Sequence, residues 1–189
     1  NHILKTSKND VIISTLGGGI SIIRNNNQKI TFNHKSINAR QILTFDNKQY
    51  ILADGFLYII QGDKILSKIF LRKDALTFHL DGDFLYLGSF SGLETYKMNG
   101  NQLQFINLFP LTAGVSKILK FNNQIIFTTY GGGFFVKNGN SVTKYQNKPF
   151  NNIENLFKIK KGYGMVSYES GLSILDEKLN FISHINKKM

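Results

Sequence analysis

At 189 residues with no cysteine, the chain excludes disulfides, thiolate metal sites and a cysteine nucleophile. Its apolar fraction of 42% is rich in Ile, Leu, Phe and Tyr, types that suit a pleated, half-buried surface, and 2 prolines against 17 glycines argue against disorder. The net charge of +11 comes from 23 basic residues spread along the whole length, with short clusters at Lys158, Lys160, Lys161 and at Lys187, Lys188, so it reads as an evenly basic surface and not as a nucleic-acid footprint.

In chain order, Ile13 to Ile23 reads Ile-Ser-Thr-Leu-Gly-Gly-Gly-Ile-Ser-Ile-Ile, two apolar runs around a glycine turn. A polar turn, Asn25-Asn26-Asn27, leads to the more polar run Lys29–Phe32. The next stretch opens with Gln41–Phe45, turns at Asp46-Asn47-Lys48, and passes through Leu52-Ala53-Asp54-Gly55 into Phe56–Ile60, with a further turn at Gly62-Asp63. The third has turns at Asp81-Gly82-Asp83 and Asn99-Gly100, with Leu87-Gly88-Ser89-Phe90-Ser91-Gly92 between them and Leu103–Ile106 after. The fourth runs Lys117–Phe121, Asn122-Asn123, Ile125–Phe127, Gly131-Gly132-Gly133, Phe134–Val136, Asn138-Gly139 and Ser141–Tyr145. The last carries Val166-Ser167-Tyr168-Glu169-Ser170-Gly171 before Leu172. Asn99-Gly100 and Asn138-Gly139 carry the Asn-Gly signal of a type I′ hairpin, in which both residues take positive φ.

The marker glycines Gly19, Gly55, Gly92, Gly133 and Gly171 recur at intervals of 36, 37, 41 and 38 residues. Each interval holds four short runs joined by tight turns, the inner runs more apolar than the outermost. No window shows helical periodicity. Four strands per repeat of about 40 residues define the blade of a β-propeller. The expected fold is therefore all-β: a β-propeller of about five four-stranded antiparallel blades in a single domain over 1–189. The repeats fall at about 1–38, 39–74, 75–114, 115–152 and 153–189, either as a self-contained ring or as a cut from a larger one of six to eight blades.

The turn segments Asn123–Phe135 and Asp83–Leu93 resemble the repeats of the two-component regulator propeller family. That pattern runs Gly-Asn, an aliphatic, Trp, an aliphatic, Gly-Thr, a Gly-rich turn, then Gly-Leu and an aromatic. The resemblance recurs once per repeat along nearly the whole chain. The chain has no tryptophan, and the corresponding positions carry Ile12, Tyr50, Tyr86, Ile126 and Gly164. The resemblance implies the sensor part of a bacterial hybrid two-component system, often one responding to glycans, in a periplasmic or extracellular location. No apolar run reaches the roughly 18 residues of a membrane helix. No leader opens the chain, so it is either cytoplasmic or a mature or trimmed piece.

The residues offer little catalytic chemistry. His2, His34, His79 and His184 form no metal-binding pair, and Asp81-Gly82-Asp83 reads as a hairpin turn because it lacks the later ligands of a calcium loop. Gly17-Gly18-Gly19 and Gly131-Gly132-Gly133 lack the Lys-Ser/Thr of a phosphate loop. Asp54, Glu94 and Glu169 stand at or just after the glycine turns, where acids could converge on one face, but no Gly-x-Ser-x-Gly elbow occurs. A distant resemblance to propeller lyases that open cyclic antibiotics is not supported by any distinct His-and-Glu constellation. The chain is expected not to be an enzyme, and no cofactor or metal is implied.

In a propeller, the turn between second and third strands shares a face with the link to the next blade. Leu16, Asp54, Phe90, Tyr130 and Tyr168 occupy equivalent positions of that turn, and the links add Lys35, Arg72, Lys73 and Asp74. Aromatic rings stack on the apolar faces of sugars while polar neighbours fix orientation. Phe90, Tyr130, Tyr168 and Glu169, with Asp54, are the candidate ligand-binding residues; the alternative is that the rings simply pack between blades. The partner is an oligosaccharide or another protein.

Overall fold

The computed structural model describes residues 2–5, 10–15, 19–24, 29–32, 38–62, 64–145, 152–168 and 170–185. They form five four-stranded sheets, and within each the strands pair antiparallel in sequence order. Blade 1 comprises β1 (His2–Lys5), β2 (Val11–Thr15), β3 (Gly19–Ile23) and β4 (Lys29–Phe32). Blade 2 comprises β5 (Ala39–Phe45), β6 (Lys48–Ala53), β7 (Phe56–Gln61) and β8 (Lys64–Phe70). Blade 3 comprises β9 (Ala75–Asp81), β10 (Phe84–Ser89), β11 (Gly92–Asn99) and β12 (Gln102–Pro110). Blade 4 comprises β13 (Val115–Phe121), β14 (Gln124–Thr129), β15 (Gly133–Asn138) and β16 (Ser141–Tyr145). Blade 5 comprises β17 (Ile153–Ile159), β18 (Gly162–Ser167), β19 (Gly171–Leu175) and β20 (Phe181–Ile185). The inner strands pack consecutively, β1 on β5, β5 on β9, β9 on β13 and β13 on β17. This is a five-bladed β-propeller. No helix occurs among the described residues, and so none is long and apolar enough to cross a membrane.

The core lies between the blades. One buried apolar cluster fills each successive interface: Ile22, Ile42 and Ile51 between blades 1 and 2, Leu52, Ile59 and Phe78 between 2 and 3, Leu93, Ile118 and Phe127 between 3 and 4, and Ile126, Leu156 and Met165 between 4 and 5. Each fully buried side chain of this kind contributes about 1.5–3 kcal/mol. The outer strands face water: β16 exposes Ser141, Thr143 and Lys144, while β12 exposes the apolar Phe105 and Leu108 as well. Where the tryptophan of the family pattern is replaced by Gly164, the ring of Phe157 takes the space a side chain would need.

The turns explain the glycines and correct two readings. In blades 1, 3, 4 and 5 the marker glycine opens the third strand, paired with Thr15, Ser89, Thr129 and Ser167. In blade 2 that register belongs to Phe56, which pairs with Ala53, and Gly55 lies inside a two-residue turn with Asp54. Both turn residues have positive φ, 48° and 79°, the type I′ pattern. Asn99-Gly100 and Asn138-Gly139 are not I′ pairs. The register joins Asn99 to Gln102 and Asn138 to Ser141, so the turns are Gly100-Asn101 and Gly139-Asn140. Only the glycine of each is positive, at 62° and 56°, as a II′-type turn demands.

A second device repeats without any sequence mark. In β5, β9, β13 and β17 the ladder skips one residue near the start of the inner strand, leaving Arg40, Leu76, Ser116 and Glu154 unpaired as bulges. A bulge sharpens local twist and re-aims the strand. The bare edges of these inner strands are then clasped by the neighbouring blade. Gln41 Nε2 donates to the Phe78 carbonyl at 2.9 Å, and its Oε1 accepts the Phe78 amide at 2.9 Å and the Thr77 hydroxyl at 2.7 Å. Ser116 donates to the Ile153 carbonyl at 2.6 Å, and Lys120 of blade 4 pairs with Asp81 of blade 3 at 2.5 Å.

Candidate functional site

The face of interest is built where the turns between second and third strands meet the inter-blade links. Backbone bonds fix that meeting: the Leu71 and Arg72 amides donate to the Gly55 carbonyl at 2.8 and 3.2 Å, Leu111 to Ser91 at 3.1 Å, and Tyr130 to Gly114 at 2.9 Å. In blades 1, 3 and 4 a hydroxyl placed just before the turn closes it. Thr15 and Thr129 donate to the carbonyls of Gly19 and Gly133 at 3.4 and 3.1 Å, and Ser89 donates to that of Gly92 at 3.3 Å. A Ser or Thr stands directly before each aromatic turn position, Ser89, Thr129 and Ser167, a mark legible in the sequence.

Phe90, Tyr130 and Tyr168 stand at the first position of the turns in blades 3, 4 and 5, with 58%, 43% and 64% of their surface exposed. They do not fill the spaces between blades. Phe90 touches the next blade's link edge-on, its Cδ1 being 2.8 Å from where a Gly114 side chain would begin. Gly114 in turn accepts the Tyr130 amide, so one link residue joins the two aromatic turns. Asp54, at the same position in blade 2, is spent differently: its Oδ1 accepts the Asn38 amide at 3.1 Å and its own amide donates to the Asn38 carbonyl at 3.3 Å. Leu16, Lys35 and Glu169 lie outside the described residues.

Beside Phe90 a charged network braces the face. The Arg72 guanidinium pairs with Asp74 and Glu94 and donates to Ser91 Oγ at 2.8 Å, while the Tyr96 hydroxyl donates to the other oxygen of the buried Glu94. Burial works against the Arg72 charge, but the bonds to Asp74 and Glu94 more than offset it and leave its pKa raised. Burial, and then the Glu94 carboxylate, push the Tyr96 phenol well above its ordinary range. Both described acids near the glycine turns, Asp54 and Glu94, are thus held in structural contacts. Among the described residues no group of three His, Asp or Glu side chains could hold a metal. What this face offers a ligand is a row of exposed rings flanked by fixed polar groups.

No family model matches the chain, and no curated protein matches it in sequence. Solved structures do. The extracellular domain assigned to a hybrid two component system of B. thetaiotaomicron matches with a TM-score of 0.72 at 17% identity, over 98% of this chain and 27% of that one. Virginiamycin B lyase from Staphylococcus aureus, solved in inactive form with quinupristin, matches with a TM-score of 0.78 at 11% identity, over 96% of this chain and 68% of that one. A chain of the mitotic checkpoint complex gives 0.76 at 8% identity, over 98% of this chain and 65% of that one. The chain spans little more than a quarter of the bacterial extracellular domain and about two thirds of the other two. Proteins this dissimilar in sequence share a fold, and the fold serves a lyase, a signalling domain and a component of a protein complex. The chain is a β-propeller whose structural neighbours include the extracellular domain of a hybrid two component system.

Proposed function

We propose that this propeller is a non-catalytic ligand-binding module, the extracytoplasmic sensing portion of a signalling protein, and that it takes a glycan or similar flat ligand on its aromatic turn face. The observation that carries the reading is the placement of Phe90, Tyr130 and Tyr168 at one equivalent turn position in three consecutive blades, each residue exposed. Ring faces stack on the apolar faces of sugars, and the braced Arg72 network beside them gives the polar neighbourhood such a ligand needs. The likeness to an extracellular domain of a two component system supports the location. The test is titration calorimetry against an oligosaccharide panel. Y130A and Y168A, at positions where the native rings are exposed, are expected to weaken binding at least about tenfold, or about 1.4 kcal/mol, with unchanged thermal stability.

The second reading is a scaffold for protein–protein contact with no small ligand. It draws on the neighbour found in the mitotic checkpoint complex and on a BBS1 propeller solved with ARL6. Retention of a stable protein partner, with no oligosaccharide bound and Y130A disrupting the partner complex, would replace the first reading by this one.

A further inference from the structure

The interface between blades 3 and 4 is the least apolar of the four: six buried apolar residues form its cluster, against nine in each of the others, among the described residues. At the mouth of this interface lies a partly open cavity of about 280 Å³, rimmed by the exposed Phe84, Ile106, Asn123 and Asn140. It is bounded by the β9–β10, β13–β14 and β15–β16 turns, at the opposite end of the strands from the aromatic face. Thr95, Tyr86 and Asn107 line it from blade 3, and Asn123, Lys137 and Asn140 from blade 4.

Strand register aligns the five blades residue by residue and shows what is unusual here. Counted from the first residue of the third strand, the fourth position holds Ile22, Ile59, Thr95, Val136 and Ile174. The fifth holds Ile23, Ile60, Tyr96, Lys137 and Leu175. The fourth position points to the following blade and the fifth to the preceding one, as the clusters containing Ile22, Ile59, Ile60 and Leu175 record. Thr95 breaks a fourth position that is aliphatic in the other four blades, Lys137 stands at a fifth position that is aliphatic in blades 1, 2 and 5 and Tyr96 in blade 3, and both residues line the same cavity.

Thr95 has no hydrogen-bond partner among the described residues, and Lys137 is answered by a backbone carbonyl and not by a carboxylate. Thr95 is 5% exposed, and its hydroxyl is the buried side-chain polar atom with no hydrogen-bond partner among the described residues. Lys137 is 8% exposed; its ammonium donates to the Gly139 carbonyl, and no carboxylate among the described residues forms an ion pair with it. Burial alone lowers its pKa, with no acid acting in the other direction. Asp81, the carboxylate on the cavity wall, is already engaged by Lys120. A hydroxyl with no partner and an ammonium with no carboxylate partner at one interface cost stability that aliphatic residues in their places would not.

We propose that this inter-blade cavity is a binding site for a small hydroxycarboxylate of up to about monosaccharide size, its carboxylate set against the Lys137 ammonium and a hydroxyl against Thr95 Oγ1. The volume lies just below the roughly 300–1,000 Å³ of ordinary ligand sites, which limits the guest to that size. The amides of Asn107, Asn123 and Asn140 supply donors and acceptors for further hydroxyls. The site is independent of the aromatic face, and the two stand or fall separately.

The test titrates the chain, T95V and K137M with D-glucuronate, D-gluconate and L-malate, with neutral D-glucose as control. At least one carboxylate is expected to bind saturably, glucose at least about tenfold more weakly, and each variant to lose at least about tenfold in affinity. Each variant is also expected to unfold at a higher temperature than the parent chain without ligand, and Y130A to bind the carboxylate unchanged. Absence of saturable binding of all three carboxylates at about 10 mM overturns the proposal. So does equal binding of glucose, or unchanged affinity in both T95V and K137M.

Discussion

Replacing Gln41 by leucine tests whether polar clasps, and not apolar packing alone, join the blades. Gln41 is 5% exposed, and its partners Thr77 and Phe78 are 3% and 0% exposed. The amide answers both backbone groups of Phe78 and the Thr77 hydroxyl, at 2.9, 2.9 and 2.7 Å. Leucine fills the volume but leaves the Phe78 N–H and C=O facing an apolar wall, at about 1–3 kcal/mol each. Against this, the leucine gains roughly 1 kcal/mol of apolar burial. The net loss is about 3 kcal/mol, or about 6–12 °C in Tm for a chain of this size. Urea denaturation followed by circular dichroism measures it. Q41E keeps the acceptor but turns a carboxylate oxygen toward the Phe78 carbonyl, and is expected to lose at least as much at neutral pH. A loss below about 1 kcal/mol in Q41L would show that the clasp is incidental to cohesion between blades.

Gly92 has φ +135°, and a side chain there would run into the Phe109 carbonyl, so G92A is expected to cost about 3 kcal/mol or more in chemical denaturation. G139A, at φ +56° with nothing near it, should cost only about 1–2 kcal/mol. R72M strands the buried Glu94 carboxylate; with Arg72 itself 26% exposed, the loss is expected at about 2–4 kcal/mol, partly recovered in R72M/E94Q. Burial first, with Lys120 and Lys117 helping and Asp81 opposing, lowers the His79 pKa, so the fold holds the ring neutral while the unfolded chain takes up a proton near its ordinary value of about 6.5. Stability from this residue is therefore present above that pH and is lost as pH falls toward the lowered folded value. H79Q should show a shallower fall in Tm between about pH 7 and pH 5, and equal slopes would exonerate the residue.

The blade plan was readable because its signals are local. Positive φ at Gly19, Gly92, Gly133 and Gly171 is a property of single residues, and the hairpins around them need only neighbours in the chain. The exposed aromatic positions followed from the same count, since one residue per turn must stand first. Gly55 misled because it has the right composition one place too early, inside a shorter turn. What could not be read were relations across blades. Gln41 meets Phe78 from 37 residues away, and Arg72 meets Glu94 from 22. Thr95 and Lys137 were also invisible as a pair. Each is an ordinary residue in its own repeat, and only the register shows that both replace aliphatics at one interface.

Among the described residues, every ladder joins strands that follow one another along the chain. By the time a ribosome has emitted Ala39 to Phe70, every hydrogen-bonding partner for that sheet has left the tunnel. Such low contact order favours rapid zippering of each sheet as it appears. The slower event is then the docking of finished sheets, and it must await side chains such as Gln41 finding the next inner edge.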